Sequence, residues 1–211
     1  MIYKLKFIRN RKFESMCNLA WKELSKFYGT KREEKKPRLF IVEDRRTIDA
    51  LCEKKTEHWV IGWSENKNIF ILDPKKFESE SSHKKRSTKE VAMLLKHELS
   101  HVFCTKLVGI SVKPKWLSEG IAMYTSGQYL THPQISEFKT FLKFFNKGGV
   151  GVYSESGIAI QLLVKKYGKQ KLFDLMKLSS KSTTQTQFSK IFKKIYGFEP
   201  TYKQFNKLIT K

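Results

Sequence analysis

His97-Glu98-Leu99-Ser100-His101 is the stretch on which the reading of this chain turns. The helix period carries residues i and i+4 to one face, one turn apart. Both imidazoles then reach a single ion, with Glu98 beside them as general base, which is the H-E-x-x-H arrangement for zinc. Val91, Leu94, Leu95, Leu99, Val102 and Phe103 surround the motif with a broad apolar surface. That surface predicts a buried helix. Buried histidines need partners, and a metal ion is one way to supply them. The motif offers two ligands, and a third has to come from elsewhere.

Trp116-Leu117-Ser118-Glu119-Gly120-Ile121-Ala122-Met123-Tyr124 offers it. Pro114 precedes this run, a residue favoured at or just ahead of a first helical turn. Glu119 then falls about one turn into a second helix, and it is the only carboxylate between His101 and Tyr124. An acid among Trp, Leu, Ile, Ala and Met is expected to be buried. A buried carboxylate is normally paired or bound to metal. The competing reading is an ordinary glutamate favoured by the helix dipole near its N-terminus.

An H-E-x-x-H helix, a short connection and then W-L-x-E-G-x-A-x-Y resembles the gluzincin zinc metallopeptidases, with a peptidase MA-like (minigluzincin-like) domain. The resemblance implies Zn2+ held by His97, His101 and Glu119, with Glu98 activating a metal-held water for hydrolysis of peptide bonds. Glu119 lies 18 positions after His101, close to the spacing in the best-known members. Thermolysin-like enzymes carry an aspartate four residues after the ligand glutamate. Met123 stands there in this chain, so one histidine lacks its expected supporting partner. Tyr153-Ser154-Glu155-Ser156 and the apolar segment ending at Lys166-Tyr167-Gly168-Lys169 also resemble the region after the glutamate helix in small members. The likeness covers roughly residues 58 to 211, most specifically 97 to 124.

Three protein ligands leave one position open, which marks a catalytic site, not a structural one. The oxyanion needs a donor besides the ion, and resembling enzymes often use a tyrosine. Tyr153 is the first choice, after Gly148-Gly149-Val150-Gly151 and ahead of a helix. Tyr124 is the second. A peptide can bind by adding a strand to a sheet edge, and resembling enzymes use the edge strand just before the metal helix. Asn68 to Leu72 is the candidate, with a plain core strand as the competing reading. His58, His83 and His132 read as surface histidines. Cys104, one turn beyond Ser100, reads as a small buried hydrophobe.

The composition agrees with an enzyme domain. The chain has 211 residues, 40% apolar and 13% aromatic, enough for a real core in one domain. No run approaches the roughly 18 apolar residues that span a bilayer. The amino terminus, Met1 to Phe7, alternates apolar residues with lysine and lacks the continuous stretch of a signal peptide. Cys17, Cys52 and Cys104 are scattered and odd in number, as in a reduced, cytoplasmic protein. The net charge of +22 comes from 42 basic and 20 acidic residues. Such a field attracts nucleic acid, anionic membrane or acidic proteins. The charge is nevertheless spread over every segment, is mostly lysine, and accompanies no nucleic-acid motif. The expected partner is a peptide or protein substrate, with nucleic acid less favoured. Ser81 to Ser87 reads as a solvated loop.

Along the chain, Phe13 to Tyr28 is an amphipathic helix stopped by Gly29. Residues 30 to 36 are a charged loop. Arg38 to Val42 is a strand, Ile48 to Cys52 a short helix, and His58 to Trp63 and Asn68 to Leu72 a hairpin. Ile135, Phe138, Phe141, Leu142 and Phe145 predict a helix ended by Gly148-Gly149. Four more follow, around 158–163, 173–176, 188–195 and 202–208. The expected fold is α+β and zincin-like. A small mixed sheet with an edge strand packs on the motif helix (an α/β part, about 1–127), and a helical part follows (about 128–211). The cleft should lie between them. The expected activity is that of a zinc metallopeptidase, an endopeptidase in preference to an aminopeptidase. No extra acidic site is seen to hold a substrate amino group. The alternative is a latent or inactive zincin-like module that binds nucleic acid or acidic partners, with a helical tail across the cleft as one route to latency.

Overall fold

The computed structural model describes residues 6–30, 36–109 and 112–209, with the backbone alone for Val150. The amino-terminal pattern over 1–5 and most of the charged loop, 31–35, lie outside the described residues.

Helix α1 (Arg11–Tyr28) begins where Asn10 accepts the Phe13 N–H and ends at Gly29, φ 69°. That left-handed conformation costs glycine little and closes the helix. β1 (Arg38–Val42) leads through α2 (Arg45–Leu51) to β2 (Gly62–Glu65) and β3 (Asn68–Leu72). Asn66 and Lys67 join β2 to β3 with φ 48° and 62°, as a tight two-residue hairpin turn requires.

The three strands form one mixed sheet in the order β1-β3-β2, with β1 parallel and β2 antiparallel to β3. Asn68–Leu72 is therefore the central strand, which corrects its expected place at the edge. Its composition suits that place: Ile69, Ile71 and Leu72 are all buried, and β-branched apolar residues fit a strand packed between neighbours. Among the described residues the edges are β1 and β2. On the other face Trp63, Phe70 and Phe40 stack in a row, with centroids 4.7 and 4.9 Å apart.

A short helix α3 (Phe77–Glu80) precedes the motif helix α4 (Thr88–Val108). Ser87 and Glu90 form a reciprocal capping box that fixes where α4 starts. The back of α4 packs on α1 through Trp21–Phe103 and Tyr28–Phe103 ring contacts at 4.7 and 5.3 Å. Its front meets the sheet, with β2 beside it. α5 (Lys115–Ser126) has no side-chain cap at Pro114. Instead, the Lys115 and Trp116 N–H groups donate to the carbonyls of Phe145 and Phe144 at 2.8 and 2.9 Å, which satisfies donors a helix start leaves orphaned.

α6 (Val150–Tyr167), α7 (Lys169–Ser179), α8 (Gln185–Tyr196) and α9 (Tyr202–Ile209) complete the described fold. α5 and α6 approach closely. A Cβ on Gly120 would meet the Ser156 carbonyl oxygen at 2.7 Å, and one on Gly157 would meet the Met123 Cβ at 2.8 Å. One core runs through both parts, from Ala20 to Leu208.

The helix expected over 135–145 does not form. The segment is bends and a 3-10 turn at Phe141–Lys143. Glu155 accepts the backbone N–H groups of Lys139, Thr140 and Phe141 at 2.8–3.1 Å. Asn206 accepts that of Phe138 at 2.6 Å. Those donors are taken by side chains and cannot enter a helical ladder. Phe138, Phe141 and Phe145 are buried all the same, Phe141 against Trp116 and Phe205 at centroid distances of 5.0 Å each.

Candidate metal centre and cleft

α4 carries His97 and His101 on one face, and α5 brings Glu119 against them. His97 Nε2 lies 3.2 Å from Glu119 Oε2 and 3.2 Å from His101 Nε2, while His101 Nε2 lies 3.6 Å from Glu119 Oε2. One ligand atom from each of the three lies within 4.8 Å of the others. Two ligands of a tetrahedral zinc, each bound at about 2.0–2.1 Å, sit about 3.3 Å apart. The observed spacings match that edge length, and a buried His-His-Glu group of this kind could hold a metal ion. Cys104 is not part of it. That thiol is buried 3.1 Å from the Tyr28 hydroxyl, and burial pushes it up to about 12, so it stays protonated.

Partners on the far side orient two of the ligands. Lys115 Nζ lies 2.6 Å from Glu119 Oε1, one turn earlier on α5, which leaves Oε2 for the histidines. Ser118 Oγ lies 3.2 Å from His101 Nδ1. When that nitrogen donates to Ser118 in a neutral ring, the Nε2 lone pair is free for an ion; a ring protonated on both nitrogens instead donates Nε2–H to Glu119. His97 Nδ1 is buried with no hydrogen-bond partner among the described residues. Burial opposes ionisation of Glu119. His101, hydrogen bonds from both histidines and Lys115 outweigh it and hold the carboxyl well below its ordinary value.

Glu98 points the other way, towards β2. A Cβ on Gly62 would lie 3.2 Å from its Oε1, so a side chain there would crowd that carboxylate. No described side chain hydrogen-bonds it. Burial pushes it up to about 7, with His97 pulling down and Glu119 pushing up. A cleft of about 270 Å³ opens there, walled by residues 59–62, the α4 face ahead of His97, and Tyr153.

Tyr153 lies inside the first turn of α6, not ahead of it. Its ring is 6.2 Å from that of His97 and 5.8 Å from that of Trp59. Burial, then the nearby Glu119 and Glu98, raise its hydroxyl strongly, so it remains a proton-bearing donor. Tyr124 does not reach the cleft. It packs on Phe27 and Tyr129. His58 is exposed, as expected. His83 and His132 are half-buried in the cleft wall and not on open surface, and neither joins the metal group. The loop over 81–87 is accordingly only half solvated: Lys84 and Lys85 are exposed, while His83 and Arg86 turn inward.

Sequence reasoning missed Lys115, Ser118 and Gly62. The i,i+4 spacing of Lys115 and Glu119 was a readable signal. For Gly62 there was none, because its partner is distant in sequence. No described residue beyond 153 walls the cleft, and α8 and α9 pack behind α5 through Trp116–Phe188 and Trp116–Phe205. No helix among the described residues is long and apolar enough to cross a membrane. Compared with known protein families, curated proteins and solved structures, the chain matches none.

Proposed function

We propose that this chain is a zinc-dependent peptidase of gluzincin type with a zincin-like fold. The observation that carries the reading is the convergence of His97, His101 and Glu119 beside Glu98 and an open cleft. Two imidazoles and one carboxylate are a known catalytic zinc donor set. When bound, zinc polarises a carbonyl and acidifies water. Glu98 takes a proton from the attacking water and returns it to the leaving amine. Tyr153 donates its hydroxyl proton in a hydrogen bond to the developing oxyanion. Lys115 and Ser118 keep Glu119 and His101 in position.

The substrate is a peptide, and endopeptidase action is the favoured form. Its backbone pairs with the edge of β2, the strand that reaches Glu98 through Gly62. A reduced, cytoplasmic setting agrees with three free thiols, at Cys17, Cys52 and Cys104.

The test combines metal analysis with turnover of quenched peptides. The purified chain should take up about one zinc. Cleavage should vanish on chelation, return with zinc, and be absent in a Glu98→Gln variant that still binds the metal. A Glu98→Gln variant as active as its parent, or a chain that takes up no zinc, refutes the reading.

A further inference from the structure

The wall of the cleft away from the metal group holds one strong cation. Arg86 is the only lysine or arginine lining the cleft among the described residues, in a chain that has 42 of them. It is half-buried, and no described carboxylate lies in direct contact with it, although Glu90 acts on it from a distance. Glu90 is the nearest acid on that wall, and its carboxylate is engaged by the Ser87 N–H and hydroxyl at 2.8 and 2.7 Å.

The guanidinium is held in place by a relay. His83 Nε2 lies 2.8 Å from the Trp59 carbonyl oxygen, so this nitrogen carries the proton and donates. Nδ1 is then the acceptor, and Arg86 Nη2 donates to it at 3.1 Å. Burial, first of all, holds His83 below its ordinary value, which keeps it neutral and able to accept. Burial likewise lowers Arg86 from its ordinary value, against the pull of Glu90. A guanidinium has five N–H donors. Apart from the bond to His83, no described protein atom accepts from it. This half-buried charge has Glu90 as an electrostatic neighbour, and it keeps a fixed orientation, open donors and a cleft in front of it.

We propose that Arg86 is the specificity-determining residue of the cleft and binds a carboxylate of the substrate, with His83 positioning it. This rests on the peptidase reading above. A carboxylate suits the site better than a phosphate. Arginine grips a carboxylate through two parallel hydrogen bonds, and Glu90 and Glu98 on the same wall disfavour a dianion. Trp59 gives the site a fixed relation to the chemistry. Its carbonyl anchors His83, and its ring contacts Tyr153. The carboxylate is thus selected at a set distance from the bond to be cut. It belongs either to an acidic side chain or to the carboxy terminus of the peptide.

Binding is measured without turnover, in the zinc-loaded Glu98→Gln chain. Three peptide sets are compared: amides with one Glu moved through every position, the matching Gln amides, and Gln peptides with a free carboxy terminus. Either the Glu amides at one position or the free-terminus peptides should bind about tenfold or more tightly than the Gln amides. That ratio should fall to about one in Arg86→Met and partly survive in Arg86→Lys. His83→Ala should reduce it too, with the thermal melting point and zinc content as folding controls. Equal binding of all three sets, no binding of any, or a ratio that survives Arg86→Met overturns the proposal. Cleavage of peptides by the parent chain is scored separately, so a chain that cleaves without this preference refutes the proposal alone. A chain that shows the preference but never cleaves refutes the peptidase reading alone.

Discussion

Lys115 and Glu119 form an ion pair of 2.6 Å one helical turn apart, in which the lysine holds Oε1 and leaves Oε2 facing two histidines. The lysine is 41% exposed and the carboxylate 4%, so the pair is half in solvent, and the lysine compensates a buried charge. Its effect is on orientation. Lys115→Met should weaken zinc binding about tenfold, within the range for partners that support metal ligands. Competition against a chromophoric chelator reads this directly, and unchanged affinity would assign the lysine to solubility alone.

Gly62 and Glu98 give the second expectation. The methyl of Gly62→Ala would press on Oε1 and Cγ of Glu98 at 3.2 and 3.4 Å. A general base shifted by a few tenths of an ångström should cost about tenfold in rate, less than the roughly hundredfold of a 1 Å misplacement, while the metal ligands are untouched. Peptide turnover should fall steeply with zinc content and melting point nearly unchanged.

Metal should also be a stabiliser. His97 and Glu119 are buried polar groups that no apolar neighbour satisfies. Zinc at a thousandfold excess over its Kd should add about 4 kcal/mol to unfolding. Melting curves with zinc and with chelator should separate for the parent chain and coincide for Glu119→Gln.

The crossing of α5 and α6 tolerates no side chain at Gly120, where a Cβ would meet the Ser156 carbonyl at 2.7 Å. Gly120→Ala should cost about 1–3 kcal/mol by overpacking. In a domain of this size that is about 2–4 °C of melting temperature per kcal/mol.

The capping box of α4 has a pH signature. Hydrogen bonds from the Ser87 backbone and side chain, helped by Arg86, hold the Glu90 carboxyl below its ordinary value. A depressed carboxyl contributes stability above its unfolded pKa and loses it as pH falls through the folded one. Ser87→Ala should cost about 1 kcal/mol near neutral pH. Urea titrations should show the gap between variant and parent narrowing in acid, below the ordinary carboxylate value.

Much of this was legible in the chain. The i,i+4 histidines, the apolar surround of α4 and the lone Glu119 in an apolar run follow from helical geometry. So does the end of α1 at Gly29. The misreadings share one cause. Phe138, Phe141, Leu142 and Phe145 have helical spacing, but the backbone donors of Phe138 and of residues 139–141 go to Asn206 and Glu155, 14 to 68 residues away. The order of the strands, likewise, depends on which partner each ladder finds. His83 and Arg86 read as a solvated loop because nothing local reveals that Trp59 lies across from them.

The irregular segment over 138–145 joins the two halves of the site. Its beginning is clasped by Glu155, two residues past Tyr153, and its end supplies the carbonyls that seat the first turn of α5, four residues before Glu119. It therefore works as a gauge block between the tyrosine and the acid. A residue inserted there would leave each helix intact and shift their spacing, so the chain's tolerance for changes in length should be lowest in a stretch that has almost no regular structure.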